Sequence, residues 1–359
     1  MSFCFNAPFN SVSFGQVSTA LAREFHRRGT ECLLSPIGGS ADLNSQALSQ
    51  DFVDWFSESS KNFSLSHSRD NPTLKLWHLN DGLLSPSKEL SLFTFYELDS
   101  PTESEINIGK NCTNLIFSSK YSAEVFSSVG VESVYVPLAF DKDNFSETDK
   151  KYFSDGRIVF NLTGKFEKRK HHAKILKAWA KKFGSNKKYY LQCAVFNPFF
   201  SPEDNNALVY NSLGGEKHFN ISFLGPMQKN SEYNDYLNSS DIIIGMSGGE
   251  GWGLPEFQSV ALGKHSVILN AHGYKEWANE DNSILIDPQG KTEAYDGVFF
   301  KENNLFNQGS IFDFNEDDFI SGCEEAIKRV EESKHNKKGV ELQKNFSIEK
   351  TADALLELV

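Results

Sequence analysis

The run Ser247-Gly248-Gly249-Glu250-Gly251-Trp252-Gly253-Leu254-Pro255 has the composition of a ligand cradle. It follows the apolar run Asp241 to Met246 and opens a helical pattern from Leu254 to Leu262. Glycines let a backbone come close to a ligand. The unpaired N–H groups of a helix start point outward and attract an anion. Pro255, near the first helical position, pre-sets that turn. Together these features suit a diphosphate. Glu250 can accept hydrogen bonds from the hydroxyl groups of a sugar.

Such a cradle works only at the end of a strand, so the surrounding elements matter. Ser2 to Asn6 reads as a short strand, Asn10 to Gly15 as a polar turn, and Gln16 to Arg28 as a helix with Val17, Ala20, Leu21 and Phe25 on one face. Glu31 to Ile37 reads as the next strand. This βαβ unit starts a doubly wound sheet. Strands are expected at Leu74–His78, Leu92–Tyr96, Asn114–Phe117 and Ser133–Leu138, with a helix at Ser119–Ser128. The segment Asp141 to Gly156 is charged, turn-rich and poor in aliphatics, and reads as a linker. A second alternating set follows, with strands at Arg157–Thr163, Tyr189–Phe196, Ile221–Leu224, Asp241–Met246, Ser266–Asn270 and Ser283–Ile286. Its helices are expected at His171–Phe183, Ser231–Ser239, Leu254–Leu262, Asp317–Glu332 and Ser347–Leu358. The fold class is therefore α/β, with two Rossmann-like domains facing a cleft. The expected bounds are residues 1–145, residues 146–345, and a terminal helix over residues 346–359.

Bulk composition narrows the classes. A chain of 359 residues is long enough for two cores. Its 31 Phe residues read mainly as core filling, with an apolar acceptor surface as the second reading. The net charge of −12 opposes a general nucleic-acid binder, which gains affinity by neutralising phosphates. Five Cys, with no metal-ligand spacing, read as reduced buried thiols. No basic-then-apolar leader and no long apolar run is visible, so a cytoplasmic protein without a secretory signal or transmembrane helix is expected. Peripheral membrane contact remains open.

From Ser247 to Trp277 the chain resembles the donor signature of family 4 glycosyltransferases, retaining enzymes of the two-domain GT-B fold. That signature has a Glu, seven residues and a second Glu, then a small-residue helix, a Gly and a strand. Here Glu250 is followed by seven residues and Gln258. In the family the second Glu holds the ribose; Gln258 can still donate and accept. Glu256 would point elsewhere on the helix. Thr163-Gly164-Lys165-Phe166-Glu167-Lys168-Arg169-Lys170 resembles the family's basic segment after the first strand of the second domain. By that resemblance Lys165 and Lys170 neutralise the donor diphosphate, with Arg169 beside them. Asn10 to Gln16 resembles the first glycine loop, which brings Gly15 to the donor phosphate. Thr94 to Asp99 resembles an acceptor-side segment containing Glu97. Val136 to Asp141 resembles the segment before the interdomain linker, and Phe223 to Pro226, with Gly225, the loop near the nucleotide base. The likeness spans nearly the whole chain and is strongest from Arg157 to Trp277.

The resemblance implies a retaining, metal-independent hexosyltransferase that uses a nucleotide-diphosphate sugar and no cofactor. Lys165, Lys170 and Glu250 would be catalytic. Gly15, Arg169, Gly225, Gly248, Gly249, Gly251, Trp252, Gly253, Leu254 and Gln258 would bind the donor, and His78 and Glu97 would face the acceptor. A glycan or lipid-linked saccharide is the expected acceptor. A hydroxylated DNA base is the alternative, suggested by the basic stretch Lys165–Lys188. A non-catalytic nucleotide-sugar binder and a GT-B-like epimerase or phosphorylase are the rivals of other classes. Asp141-Lys142-Asp143 reads as a solvated turn, His171-His172 face different ways, and Asn10–Gln16 lacks the dinucleotide fingerprint.

Overall fold

Short apolar strands alternating with amphipathic helices build two separate parallel sheets in the computed structural model, which describes residues 2–359. The first half runs β1 (Phe3–Ala7), α1 (Ser13–Arg27), β2 (Cys32–Pro36), α2 (Gln50–Ser66), β3 (Thr73–Leu76), β4 (Leu90–Thr94), α3 (Glu103–Asn111), β5 (Asn114–Phe117), α4 (Lys120–Ser128) and β6 (Val134–Tyr135). The second half runs β7 (Ile158–Thr163), α5 (His172–Phe183), β8 (Tyr189–Ala194), α6 (Pro202–Ser212), β9 (Ile221–Phe223), α7 (Asn230–Ser239), β10 (Ile242–Gly245), α8 (Leu254–Ala261), β11 (His265–Leu269) and β12 (Ile284–Ile286). A small hairpin, β13 (Lys291–Glu293) and β14 (Ser310–Phe312), precedes α9 (Glu316–Glu332), α10 (Lys337–Asn345) and α11 (Ile348–Leu356).

The first sheet has the order β2-β1-β3-β4-β5-β6 and the second β12-β11-β10-β7-β8-β9, with every pairing parallel. Parallel sheets are covered on both faces, which is why their strands read as unbroken apolar runs such as Ile242-Ile243-Ile244. Strand order reverses between β1 and β3 in one sheet and between β7 and β10 in the other. Loops leaving the strand ends at such a reversal splay apart and leave a crevice. Beyond those four strand ends lie Asn10–Gly15, which runs into α1, then His78, Lys165–Lys170 and Ser247–Gly253.

The phenylalanines mostly fill the core as expected. Phe25 of α1 meets Phe3 and Phe5 edge-on, with ring centroids 5.4 and 5.5 Å away. Cys4, Cys32, Cys193 and Cys323 are buried free thiols, whereas Cys112 is half-buried at the end of α3. The terminal helix α11 lies against the first sheet's side of the molecule. Thr351 donates to the Pro137 carbonyl at 3.0 Å, and Ser91 to that of Leu358 at 2.6 Å.

Two features depart from the sequence reading. Asp141 is not a solvated turn residue: it is buried, 3.2 Å from the Arg23 guanidinium, and Asp143 pairs with Arg27. The pair of carboxylates anchors the start of the linker to the basic end of α1. The second departure is the segment between β12 and α9. It leaves the second sheet, lays Ala294, Phe300 and Ile311 into a core cluster with Leu79, Leu92 and Tyr96, and returns. Asp99 accepts from the Ser310 N–H at 2.7 Å, and Glu105 from the Asn307 N–H at 2.8 Å. This strap ties the second half to the first.

Candidate active site

The loop after β10 is held from both sides. Gly248 donates to the Arg169 carbonyl and accepts from the Phe312 N–H, both at 2.8 Å. It is therefore a rung between the basic turn and the strap. Gly251 accepts from the Ser118 hydroxyl at 2.8 Å. A Cβ on Gly249 would overlap the Glu97 carbonyl oxygen, and one on Gly251 would stand 2.8 Å from the Phe95 Cβ. These glycines thus let the two halves of the molecule meet backbone to backbone, where the sequence suggested close approach to a ligand. Gly253, at φ 83°, turns the chain into α8, and a side chain there would collide with the Tyr274 ring.

Trp252 also differs from its expected place. Its indole is buried against Phe257 and Phe346, with centroids 5.3 and 5.2 Å away, so it belongs to the core.

Behind this loop lies a buried charge cluster. Lys168 to Lys170 form one tight helical turn, which turns Arg169 and Lys170 inward and leaves Lys168 in water. Arg169 Nη1 is 2.9 Å from Glu250 Oε1 and 3.2 Å from Glu97 Oε1, while Nη2 is 2.7 Å from Glu167 Oε1. Arg169 also donates to the Gly249 carbonyl, and Lys170 donates to the same Glu250 oxygen that Arg169 meets. Lys165 stands 3.7 Å from Glu167 and is partly open to solvent. Arg169, which the sequence made a neighbour of the two lysines, is the hub. It joins Glu97 of the first half to Glu250 of the second.

The charges shape each other. Burial would raise the Glu250 carboxyl, but Arg169 and Lys170 outweigh it and hold the group ionised. Glu97 goes the other way: desolvation raises it, Arg169 resists, and the Glu250 and Glu167 carboxylates add to the rise. Glu256 is buried beneath the loop, beside Gly245 and Gly253, with one carboxyl oxygen unpartnered. Desolvation raises it too, against the pull of Lys170. His272 hydrogen-bonds the Ser247 carbonyl at 2.7 Å; burial pushes its imidazole down to about 4. A carbonyl only accepts, so Nε2 carries the proton and the ring is neutral.

The facing wall is aromatic. Phe14 stacks on Phe95 at 4.2 Å and meets His78 at 4.4 Å, with Trp77 behind. His78 is solvent-exposed yet ringed by the cleft walls. Their desolvation, and then the Lys165 ammonium across the cleft, push it down to about 4. Gly15 lies in the first turn of α1, packed against Asn10 of its own loop, and Gly225 stands in open space after β9.

By sequence, the chain matches no protein-family model and no curated protein. Solved structures do match it along its length. A sucrose-phosphate synthase from Thermosynechococcus elongatus aligns with TM-score 0.68 at 13% identity, covering 99% of this chain and 98% of that one. The catalytic domain of starch synthase IV from Arabidopsis thaliana, bound to ADP and acarbose, aligns at 0.67 and 10% identity with the same coverage. Anabaena HepE in complex with UDP and glucose aligns at 0.65 and 12% identity, again over 99% and 98%. The fold is GT-B.

Within this GT-B cleft, Leu254 and Gln258, one turn apart at the start of α8, face Gln16, Val17 and Asp141 across a space of about 20 Å³. That holds a water and no ribose, so the halves are closed together there. Gln16 and Asn230, which the sequence reading did not single out, exchange side-chain hydrogen bonds at 3.0 and 2.8 Å across this seam. Gln46 extends the chain of amides by donating to Gln16 at 2.9 Å. Gln16 and Asn230 stand in the first turns of α1 and α7 and Gln46 in a loop, positions far apart in the chain that only folding brings together. His171 and His172 diverge as expected, one to the Phe312 carbonyl at 2.8 Å and the other to that of Thr163 at 3.1 Å.

Proposed function

We propose that this chain is a retaining glycosyltransferase that moves a hexose-type sugar from a nucleotide-diphosphate sugar to an acceptor hydroxyl on a glycan or lipid-linked saccharide. One observation carries the reading: Lys170 and Arg169 pair with Glu250 in the loop that leads into α8, at a strand-order reversal, with Lys165 at the edge of the cluster. A helix start and two lysines suit a diphosphate leaving group. A carboxylate held ionised among them suits sugar hydroxyls. The bound UDP, glucose and ADP of the structural neighbours agree with a donor of this class.

In this mechanism the donor opens the seam at Gln258 and its diphosphate takes Lys170 and Lys165. Glu250, relieved of one cation, accepts hydrogen bonds from the sugar. Glu250 is too well paired to serve as a nucleophile, and Glu97 is committed to Arg169. The resemblance to retaining enzymes implies that the leaving diphosphate oxygen accepts the acceptor proton on the same face, with the anomeric configuration kept. The cations supply the charge stabilisation that a metal would otherwise provide. The glycan or lipid-linked reading is preferred to a DNA base because four of the nine lysines of the basic stretch, Lys181, Lys182, Lys187 and Lys188, lie at or beyond the end of α5. Its 12 residues run about 18 Å, so Lys181 to Lys188 lie at the far end.

The test has two parts. A thermal-shift screen of nucleotide sugars should find one donor that raises Tm in proportion to its affinity. NMR of the product should then show the donor's anomeric configuration; an inverted product overturns the retaining mechanism.

A further inference from the structure

Beside the charge cluster lies a second chamber. Its volume is about 350 Å³, and its walls are Phe166, Phe200, Leu208, Val298 and Phe299 above the first turn of α5. It lies between the loops after β7 and β8 and the tip of the strap, so no single element builds it. Two large apolar side chains stand in water beside it, Phe199 at 68% and Val298 at 44% exposure. Exposed apolar residues grouped at the mouth of an apolar cavity mark a binding surface.

The chamber adjoins the charge cluster of the cleft. Glu167 is a wall of the chamber and a partner of Arg169 in the cluster. The Lys165 ammonium lies 4.1 Å from the Phe299 ring centroid and 5.4 Å from that of Phe199, and its charge reaches His78 on the opposite wall. Lys165 thus stands between chamber and cleft. Most polar groups that line the chamber are already engaged: Lys168 with the Tyr295 carbonyl at 3.0 Å, Lys174 with Asp313 at 2.7 Å, His171 with the Phe312 carbonyl at 2.8 Å, and Asp296 with the N–H groups of residues 298 to 300; the buried Nδ1 of His172 is left without a partner. What the chamber offers a ligand is mainly apolar surface.

We infer that this chamber binds an apolar aglycone, an alkyl chain attached to the acceptor whose hydroxylated head lies in the cleft. The inference rests on the glycosyltransferase reading for the head and on the chamber alone for the tail. Each methylene that enters strengthens binding about fourfold, and four buried methylenes are worth about two orders of magnitude.

Binding of n-octyl and methyl β-glucoside to the full chain, by calorimetry below the micellar concentration, tests this without turnover. Octyl glucoside should bind on the order of a hundredfold more tightly. Leu208→Trp, from α6, and Val298→Trp, from the strap tip, should each abolish that preference while leaving nucleotide-sugar hydrolysis unchanged. Equal affinity for the two glucosides, or an octyl preference that survives both substitutions, overturns the chamber assignment. If no nucleotide sugar is turned over but the octyl preference and its loss in the variants hold, the transferase reading fails and the chamber assignment stands.

Discussion

The two walls of the cleft are built from different chemistry. The second sheet contributes charge: Glu167, Arg169, Lys170 and Glu250 are all buried in one ion-paired cluster. The first sheet contributes rings: Phe14, Trp77, His78 and Phe95 in mutual contact, with Glu97 as its one carboxylate in the cluster. Buried charges must be paired, so their positions are fixed to within a hydrogen bond. An aromatic wall is fixed only by packing. The charged wall therefore suits the part of a reaction that is the same at every turnover, and the aromatic wall the part that varies between substrates. Substitutions on the two walls should accordingly separate into losses of turnover and losses of acceptor affinity.

The largest effect is expected at Lys170. Lys170→Ala removes a cation from the proposed leaving group and leaves Glu250 to Arg169 alone. Nucleotide-sugar turnover should fall about 10²- to 10³-fold, with circular dichroism unchanged. Near-normal turnover would move the diphosphate away from this turn and erase the contrast between the walls.

Next comes the seam itself. Gly249→Ala places a methyl group where the Glu97 carbonyl lies. The halves must part or the loop must shift, at a cost of about 1–3 kcal/mol. Turnover should drop about tenfold, and small-angle scattering should show a larger radius of gyration. An unchanged radius with full activity would mean that closure at Gly249 plays no part in the reaction.

The same contrast explains what the sequence made legible. The glycine run and the basic turn are contiguous stretches, and each has a local physical reason for its composition. They are found in the structure at the β7 and β10 strand ends, and the strands around them were expected within a few residues. Arg169 was visible only as a neighbour because chain order does not tell which way a side chain turns in a single helical turn. The helices α2, α3, α6 and α10 escaped notice. So did the strap: the apolar residues of its run Gly290 to Gly309 follow neither a helical nor a strand period, and it is tied down by Asp99 and Glu105 of the other half. Trp252 was misplaced because an aromatic in a glycine loop reads equally as ligand platform or core.

A third prediction concerns pH. His172 and His272 are buried and hydrogen-bonded to carbonyls, and burial pushes them down to about 3 and about 4. In the unfolded chain they take up protons near pH 6.5. Between pH 6.5 and 4 the unfolded state binds the extra protons, so stability falls as pH falls, by at most about 1.4 kcal/mol per unit for each ring. Glu97 and Glu256, both raised, act in the opposite sense as they protonate in the folded state. Comparing slopes isolates the imidazole: His272→Gln keeps a donor for the Ser247 carbonyl and should flatten the chemical-denaturation stability profile over this range. An unchanged slope would mean that His272 is protonated in the native state, and that the cluster tolerates one more buried positive charge.

The smallest effect is expected on the aromatic wall. Phe14 is buried, stacks on Phe95 and meets His78, so Phe14→Leu removes a ring face from the cleft and loosens both neighbours. An aromatic contact of this kind is worth about 0.5–1.5 kcal/mol, which corresponds to roughly a three- to tenfold rise in acceptor KM. Hydrolysis of the donor without acceptor should be unaffected, since the ring partners of Phe14 are Trp77, His78 and Phe95, none of them in the charge cluster. Steady-state kinetics with acceptor varied at saturating donor separates the two. A fall in kcat at constant KM would place Phe14 behind the chemistry instead of the acceptor, and the division between a charged wall that reacts and an aromatic wall that selects would have to be redrawn.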